Sequence, residues 1–487
     1  MNVFDYFFES TKHLEKKFVL GAKESITFNK LHSDSLKLAS FLREHYGENR
    51  NIILISPNSI FFITAYLGIL KSGNVCVPLN YAVEEGNLDY ILNLIDSPLM
   101  MVTDNFKGTD SFKDELAHID ETDLEKIISG PEIRTFTTDF IEDSLAEIIF
   151  TSGSTGEPKG VMISHGNIIA NTDSIIEYLR LTEQDRMCVV LPFFYCYGLS
   201  LLHTHLKVGG SIVLNNSFIF IGRVIKDLQE YQCTGFAGVP SHFQILLKKS
   251  QSFKTTKFPF LKYVTQAGGK LHAVFIEEFI GAFPEIPFYV MYGQTEATAR
   301  LTYLPPEHIG SKMSSIGKSI PGVSIQIMDD KGNVLGPNEK GELVARGANI
   351  MQGYYKDAAS TSITIVDGWL YTGDIAFSDE EGYLFIVARK KEIIKVGGKR
   401  VSPKEIEEVI LSVPEVIDCT ILGIEDELLG EAIQAKIVIN DIRNKDIVRE
   451  VILNECSKKL AAYKIPRDLI FENSIQVNST GKKVKPK

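Results

Sequence analysis

Short apolar runs alternate with longer amphipathic stretches along most of this chain. Residues 51–57, Asn-Ile-Ile-Leu-Ile-Ser-Pro, read as a strand closed by proline. A helix is expected at 59–71, a strand at 75–79, a helix at 84–95 and a strand at 99–102. The polar, acidic segment 103–143 reads as a peripheral connection, after which the apolar run 147–150 resumes the pattern. A helix near 168–179 is entered through Ser164-His165-Gly166-Asn167, a turn cluster suited to capping. Strands follow at 187–191, 211–214, 235–239, 263–266 and 288–291, with helices near 222–231, 241–247 and 272–283. Short buried strands separated by helices predict parallel α/β sheets.

The texture changes twice after that. Between 316 and 347, strands at 323–328 and 342–346 alternate with turns such as Asp329-Asp330-Lys331-Gly332-Asn333, which predicts a small β subdomain. Past a strand at 383–387, the charged connector Arg389-Lys390-Lys391-Glu392 leads into a helix at 403–411, strands near 416–422 and 433–439, and a helix near 448–460. The expected architecture is α/β. A large N-terminal domain, 1–387, holds parallel-type α/β subdomains plus the small β subdomain, and a small mobile α+β C-terminal domain spans 388–487. The basic tail reads as a solvated terminus.

Composition narrows the classes. At 487 residues the chain has room for roughly three domains. Its 44% hydrophobic and 23% charged residues are ordinary for a globular protein. A net charge of -11 argues against a nucleic-acid partner held by basic charge. Cys76, Cys188, Cys196, Cys233, Cys419 and Cys456 form no Cys-x-x-Cys pair, which fits a reducing compartment and disfavours a zinc site. The first nine residues carry an early acid and do not read as a signal peptide. No apolar run is long enough to span a bilayer. A cytoplasmic protein is expected.

The densest chemistry lies in Thr151-Ser152-Gly153-Ser154-Thr155-Gly156-Glu157-Pro158-Lys159-Gly160. Glycines let a backbone approach an anion closely, and successive N–H groups, hydroxyls and one cation suit a polyphosphate. An exposed Gly/Ser linker is the plainer alternative, but this loop sits between two apolar strands. It does not fit the Walker A spacing, because Lys159 is followed by Gly160 and not by Ser or Thr. Tyr292-Gly293-Gln294-Thr295-Glu296 follows a predicted strand, where α/β sheets place ligands. It suits a purine face, a phosphate contact and an oxygen ligand for Mg2+, or simply a packed tyrosine beside a solvated acid. Asp374, ending Asp367-Gly368-Trp369-Leu370-Tyr371-Thr372-Gly373-Asp374, either closes a turn or accepts ribose hydroxyls. His203 and His205, two apart, read as ordinary helix residues.

Taken in order, these motifs resemble the adenylate-forming superfamily of acyl- and aryl-CoA synthetases, luciferases and the adenylation domains of peptide synthetases. The resemblance implies catalytic roles for Thr151, Glu296 and Lys482, the last favoured over Lys483, with Glu296 the metal ligand. It implies a nucleotide site formed by Ser152, Gly153, Ser154, Thr155, Gly156, Lys159, Gly268, Gly269, Lys270, Tyr292, Gly293, Gln294 and Thr295, with Asp374 on the ribose and Arg389 on ribose or phosphate. Gly353-Tyr354-Tyr355 completes the family's usual run. Lys391 takes the hinge position, and Gly397, Gly398 and Arg400 belong to the loop of the thioester step. Tyr195, Cys196, Phe236 and Gly238 are expected in the acyl pocket, with 265–268 beside them. Cys196 stands where amino-acid-activating domains carry an aspartate, and a neutral cysteine cannot pair an ammonium, which disfavours an α-amino acid. Two departures stand out: Ala388 replaces the family's usual glycine, and Lys485-Pro486 replaces the arginine beyond the catalytic lysine.

The implied activity is an ATP-dependent, AMP-forming ligase with Mg2+. It joins a small carboxylic acid to CoA, or alternatively to the phosphopantetheine of a separate carrier protein. An alternative of another class is a nucleotide-binding protein without catalysis. The sequence does not name the acid, and a homodimer stays open.

Overall fold

The computed structural model describes residues 1–21, 24–95, 99–104, 106, 117–130, 141–151, 157–216, 218, 220–426 and 429–475. Among these, the strands form four sheets. The first has seven strands. Asn51–Ile55 lies between Val75–Leu79 and Leu99–Val102, all parallel. Leu145–Thr151 extends this sheet and pairs antiparallel with Lys159–Ser164, so the Gly/Ser-rich loop joins the two strands of a hairpin.

The second sheet has nine strands. Lys17–Leu20, Ser211–Leu214, Arg186–Val189, Gly235–Gly238, Tyr263–Gln266 and Phe288–Tyr292 run parallel across it, and antiparallel strands close both edges. The third is the expected small antiparallel sheet, built on Val323–Met328, Gly341–Gly347, Trp369–Ser378 and Leu384–Arg389. The short strand Gly353–Tyr354 leaves that region to pair with Lys159–Ser164 of the first sheet. The fourth sheet holds Ile394–Val396, Lys399–Val401, Val416–Asp426, Gly430–Ile439 and Asp468–Glu472, with the helices Pro403–Leu411 and Lys445–Lys459.

The helix Ile60–Lys71 shows why the large core closes. Its sequence, IFFITAYLGILK, is apolar on all sides, and nearly every residue is buried. Ser59 caps it, accepting the Phe62 N–H at 3.0 Å. The helix Phe28–Tyr46 covers its outer side. A Cβ on Gly68 would lie 2.6 Å from Leu38 Cδ2, so the missing side chain sets the spacing between the two helices. On the inner side Phe62 meets Phe193 at 5.6 Å between ring centroids.

One polar chain crosses this core. The Tyr66 hydroxyl donates to Glu147 Oε2 at 2.9 Å and lies 2.8 Å from His203 Nε2. Burial raises the Glu147 carboxyl to about 7 and lowers His203 to about 3. The reading of His203 and His205 as ordinary helix residues fits their burial in Cys196–Val208.

The structure corrects some element readings. The connection 103–143 contains the strand His118–Ile119 and the helix Glu121–Ser129. Only Leu124 of that helix is buried, too little apolar surface to mark it in the sequence. The helix read from 168 begins at His165, because Ser164 and Asn167 form a reciprocal capping box. Arg389, read as connector, ends a strand, paired opposite Asp374.

Candidate active site

A cleft of about 1080 Å³ opens where the second, third and fourth sheets meet. Its floor is set by the ends of the parallel strands Tyr263–Gln266 and Phe288–Tyr292. Beyond the first, Gly268 adopts φ +83°, and Gln266 Nε2 donates to the Gly269 carbonyl at 2.7 Å. That tight loop presents Lys270, whose Nζ is 3.3 Å from Glu408 on the helix Pro403–Leu411. Beyond the second strand, the chain folds back on itself at Gly293, where a Cβ would be driven into the Ala299 carbonyl. A 3-10 turn, Thr295–Ala297, then holds Glu296 at the cleft.

Asp374 lies at the centre. It is 4% exposed, on the strand Trp369–Ser378, with Arg389 opposite in register. The Tyr292 hydroxyl donates to Asp374 Oδ2 at 2.7 Å, and Arg389 Nε is 3.7 Å from Oδ1. Burial and the nearby carboxylate push the Tyr292 phenol well above its ordinary range, so it remains a donor. Arg389 also donates to the Thr372 carbonyl at 3.2 Å.

The hairpin side of the cleft carries Thr151 and Lys159. Lys159 Nζ donates to the Ser360 hydroxyl, lies 3.2 Å from Asp357 and sits 5.1 Å from the Tyr354 ring centroid. Hydrogen bonds from Ser360, with help from Lys159, hold the Asp357 carboxyl down to about 2. Tyr354 donates to Glu296 Oε1 at 2.8 Å. Among the described residues the other carboxylate oxygen of Glu296 makes no hydrogen bond. Glu296 and the Thr151 hydroxyl therefore offer the hard oxygen donors that Mg2+ takes alongside phosphates and water.

The fourth-sheet unit supplies the remaining wall through Lys404, Glu407, Asp418 and Ile475, and the connector residue Lys391 also lines the cleft. Burial lowers the Lys404 ammonium, with Asp374 and Glu392 acting in opposition. Gln244 reaches across to donate to Asp418 at 3.2 Å. Gly397, Gly398 and Arg400 are exposed and do not line the cleft.

The structure thus brings together Thr151, Lys159, Gly268, Gly269, Lys270, Tyr292, Gly293, Gln294, Thr295, Glu296, Asp374 and Arg389. Ser152, Gly153, Ser154, Thr155, Gly156 and Lys482 lie outside the described residues. Of the expected acyl pocket, Tyr195 lines the cleft, and Cys196 is buried with its Sγ 3.5 Å from the Thr295 hydroxyl. Phe236 and Gly238 need correction. They share one face of their strand, and that face is covered by the helix Pro240–Lys249. Phe236 packs edge-on to Phe243 at 6.0 Å, and a Cβ on Gly238 would meet the same ring at 3.0 Å. Both belong to the core and are absent from the cleft lining. Sequence reasoning gave no role to Lys404, Asp357 or Tyr354. Lys404 lies in a charged helical run whose solvated appearance hides it.

A family model described as AMP-binding enzyme matches residues 7–355, and one described as AMP-binding enzyme C-terminal domain matches residues 405–482. An oxalate–CoA ligase of Arabidopsis thaliana is 29% identical over 483 residues, covering 95% of this chain and 93% of its own. The anthranilate CoA ligase AuaEII in complex with anthranoyl-AMP superposes with a TM-score of 0.92 at 22% identity, over 99% of this chain and 95% of that one. The o-succinylbenzoate CoA synthetase MenE of Bacillus subtilis, in complex with ATP and a magnesium ion, gives 0.85 at 25% identity, over 99% and 98%.

Proposed function

Because the chain belongs to the AMP-binding enzyme family, we propose that its cleft takes ATP and a carboxylic acid, forms the acyl-adenylate, and passes the acyl group to a thiol. The overall reaction is the AMP-forming ligation of an acid to CoA, and the Arabidopsis relative is named an oxalate–CoA ligase. In the first step a carboxylate oxygen attacks the α-phosphorus and pyrophosphate leaves. In the second the thiol sulfur attacks the acyl carbon, the thiol loses its proton, and AMP leaves. Little covalent chemistry is asked of the protein, so positioning and charge stabilisation supply the catalysis.

The observation that carries this reading is the Tyr292–Asp374–Arg389 assembly, set beside Glu296 at the ends of parallel strands. Asp374 receives the ribose hydroxyls, and Arg389 holds ribose or phosphate. Tyr292 and the loop carrying Gly268, Gly269 and Lys270 flank the base. Thr151, with Ser152, Gly153, Ser154, Thr155, Gly156 and Lys159, cradles the phosphates. Glu296 holds Mg2+, which when bound neutralises phosphate charge. Lys482 stabilises charge developing between the acid and the α-phosphate.

We propose a domain boundary at 387/388, close to the end of the strand Leu384–Arg389. The unit that follows turns about Lys391, bringing Gly397, Gly398 and Arg400 to the site for the thioester step. The exposure of that loop, together with Lys404 and Ile475 in the cleft, supports assigning the present arrangement to the adenylation step. Six buried free cysteines and the lack, among the described residues, of a helix able to cross a membrane support a cytoplasmic setting.

ATP–pyrophosphate exchange across a panel of carboxylic acids tests the reading, with Lys482→Ala as control. Exchange with one class of acid, abolished in the variant, is expected. The variant is also expected to form thioester from supplied acyl-adenylate, and equal loss of both steps refutes the division of labour. Supplying CoA as the only thiol tests the acceptor. Rapid AMP release is expected, whereas a stalled adenylate points to a carrier protein.

A further inference from the structure

One face of the helix Pro403–Leu411 is turned to the cleft and to the second sheet. Glu408 on that face reaches Lys270 and the Ser314 hydroxyl, each at 3.3 Å, and Glu407 Oε2 lies 3.9 Å from His272 Nε2. Residues three and four apart share a helix face, so Lys404 points to the same side one turn earlier. It lines the cleft together with Lys270, His272 and Ser314.

The Lys404 ammonium is partly buried, which disfavours its charge. Asp374, Glu392 and Glu407 attract it and Lys270 repels it, all through space. Among the described residues it makes no hydrogen bond and no ion pair. A desolvated ammonium with three unused donors is costly until something supplies acceptors. Asp374 leads the attracting groups, and it lines the cleft from the third sheet while Lys404 lines it from the fourth-sheet unit. The two charges share one cleft without touching.

Resting on the reading of the cleft as a nucleotide site with Asp374 on the ribose, we infer that Lys404 donates to the same ribose hydroxyl oxygens from the opposite wall. A hydroxyl that gives its proton to a carboxylate keeps lone pairs for a donor, and an ammonium can only donate. The sugar then stands between the two charges and satisfies the lysine. Lys404 is a nucleotide-binding residue carried by the small unit, so a bound ribose ties that unit to the third sheet.

Calorimetric titration with ATP and with 2′,3′-dideoxy-ATP, both as Mg2+ salts, tests this in the wild type, Lys404→Met and Lys404→Arg. Lys404→Met is expected to raise Kd for ATP by on the order of 10-fold and to change Kd for the dideoxy analogue much less, with Lys404→Arg between. In pyrophosphate exchange the same variant is expected to raise KM for ATP and leave KM for the acid. A folded Lys404→Met that weakens both nucleotides equally puts the lysine on phosphate or base and overturns the assignment. Unchanged ATP affinity overturns it too, as does a wild type that binds the two nucleotides alike. Binding is read without any acid, so these outcomes hold where exchange fails, and failure of exchange with every acid counts against acid activation alone.

Discussion

Asp374 works through what surrounds it. Burial makes its carboxylate expensive to leave unpaired, and Tyr292 and Arg389 meet that need from two directions. On the ribose role proposed above, Asp374→Asn keeps the shape but weakens acceptance of those hydroxyls and removes the charge facing Arg389. It is expected to raise KM for ATP by about 10-fold to 100-fold with a much smaller change in KM for the acid. Tyr292→Phe is expected to be milder, within about 10-fold, since Arg389 still faces the carboxylate. Steady-state kinetics with each substrate varied separately checks both. At this scale the sequence exposed much of the site. Tyr292, Glu296 and Asp374 stand in short runs whose Gly and Thr neighbours mark turns at strand ends. Lys404 and Asp357 were not legible, because their closeness to the cleft arises only when distant segments cross. Phe236 and Gly238 were misplaced through strand parity: their face of Gly235–Gly238 is the one a helix covers.

Element boundaries were most legible where apolar runs end at sharp breaks. The strands Val75–Leu79, Ser211–Leu214, Tyr263–Gln266 and Val323–Met328 and the helix Pro403–Leu411 fall where the pattern predicts them. The short strand His118–Ile119 and the helix Glu121–Ser129 escaped notice because edge elements bury few side chains. The packing of Ile60–Lys71 on Phe28–Tyr46 makes a separate prediction. A methyl at position 68 must displace Leu38, so Gly68→Ala is expected to destabilise by about 1–3 kcal/mol despite alanine's better helix propensity. Leu38→Ala alone leaves a cavity and is also destabilising. Together the two changes are expected to cost less than the sum of their separate effects, because the new methyl occupies space that Leu38 vacates. Denaturant titration of the four proteins closes the cycle, and simple additivity would show that the two side chains do not compete.

For the whole molecule, acid stability follows from histidines kept neutral. Burial lowers His203 and His242 to about 3, and His32, His165 and His205 to about 4, from an ordinary value of 6.5. In the unfolded chain each takes a proton below 6.5, so stability present above that pH is lost as pH falls toward 3–4. Glu147 acts in the opposite sense. Its carboxyl, raised from 4.5 to about 7, favours the folded state most below 4.5, and that contribution fades as pH rises through 7. Five groups outweigh one, so Tm is expected to fall by roughly 5 °C per pH unit on acidification below 6.5. Scanning calorimetry from pH 8 to pH 5 checks this, and a Tm that is flat or rising on acidification would contradict it. The small strand Gly353–Tyr354, laced into the first sheet from the third, has a mechanical consequence. Those two sheets cannot part under tension without shearing a backbone ladder, whereas the fourth-sheet unit is held to the rest by one covalent passage near residues 389–394 and by side-chain contacts such as Lys270–Glu408 and Ser402–Val387, with no strand pairing among the described residues. Stretched from its ends in an optical trap, the protein is expected to yield first by peeling that unit away, with the bulk of the molecule rupturing later as one body.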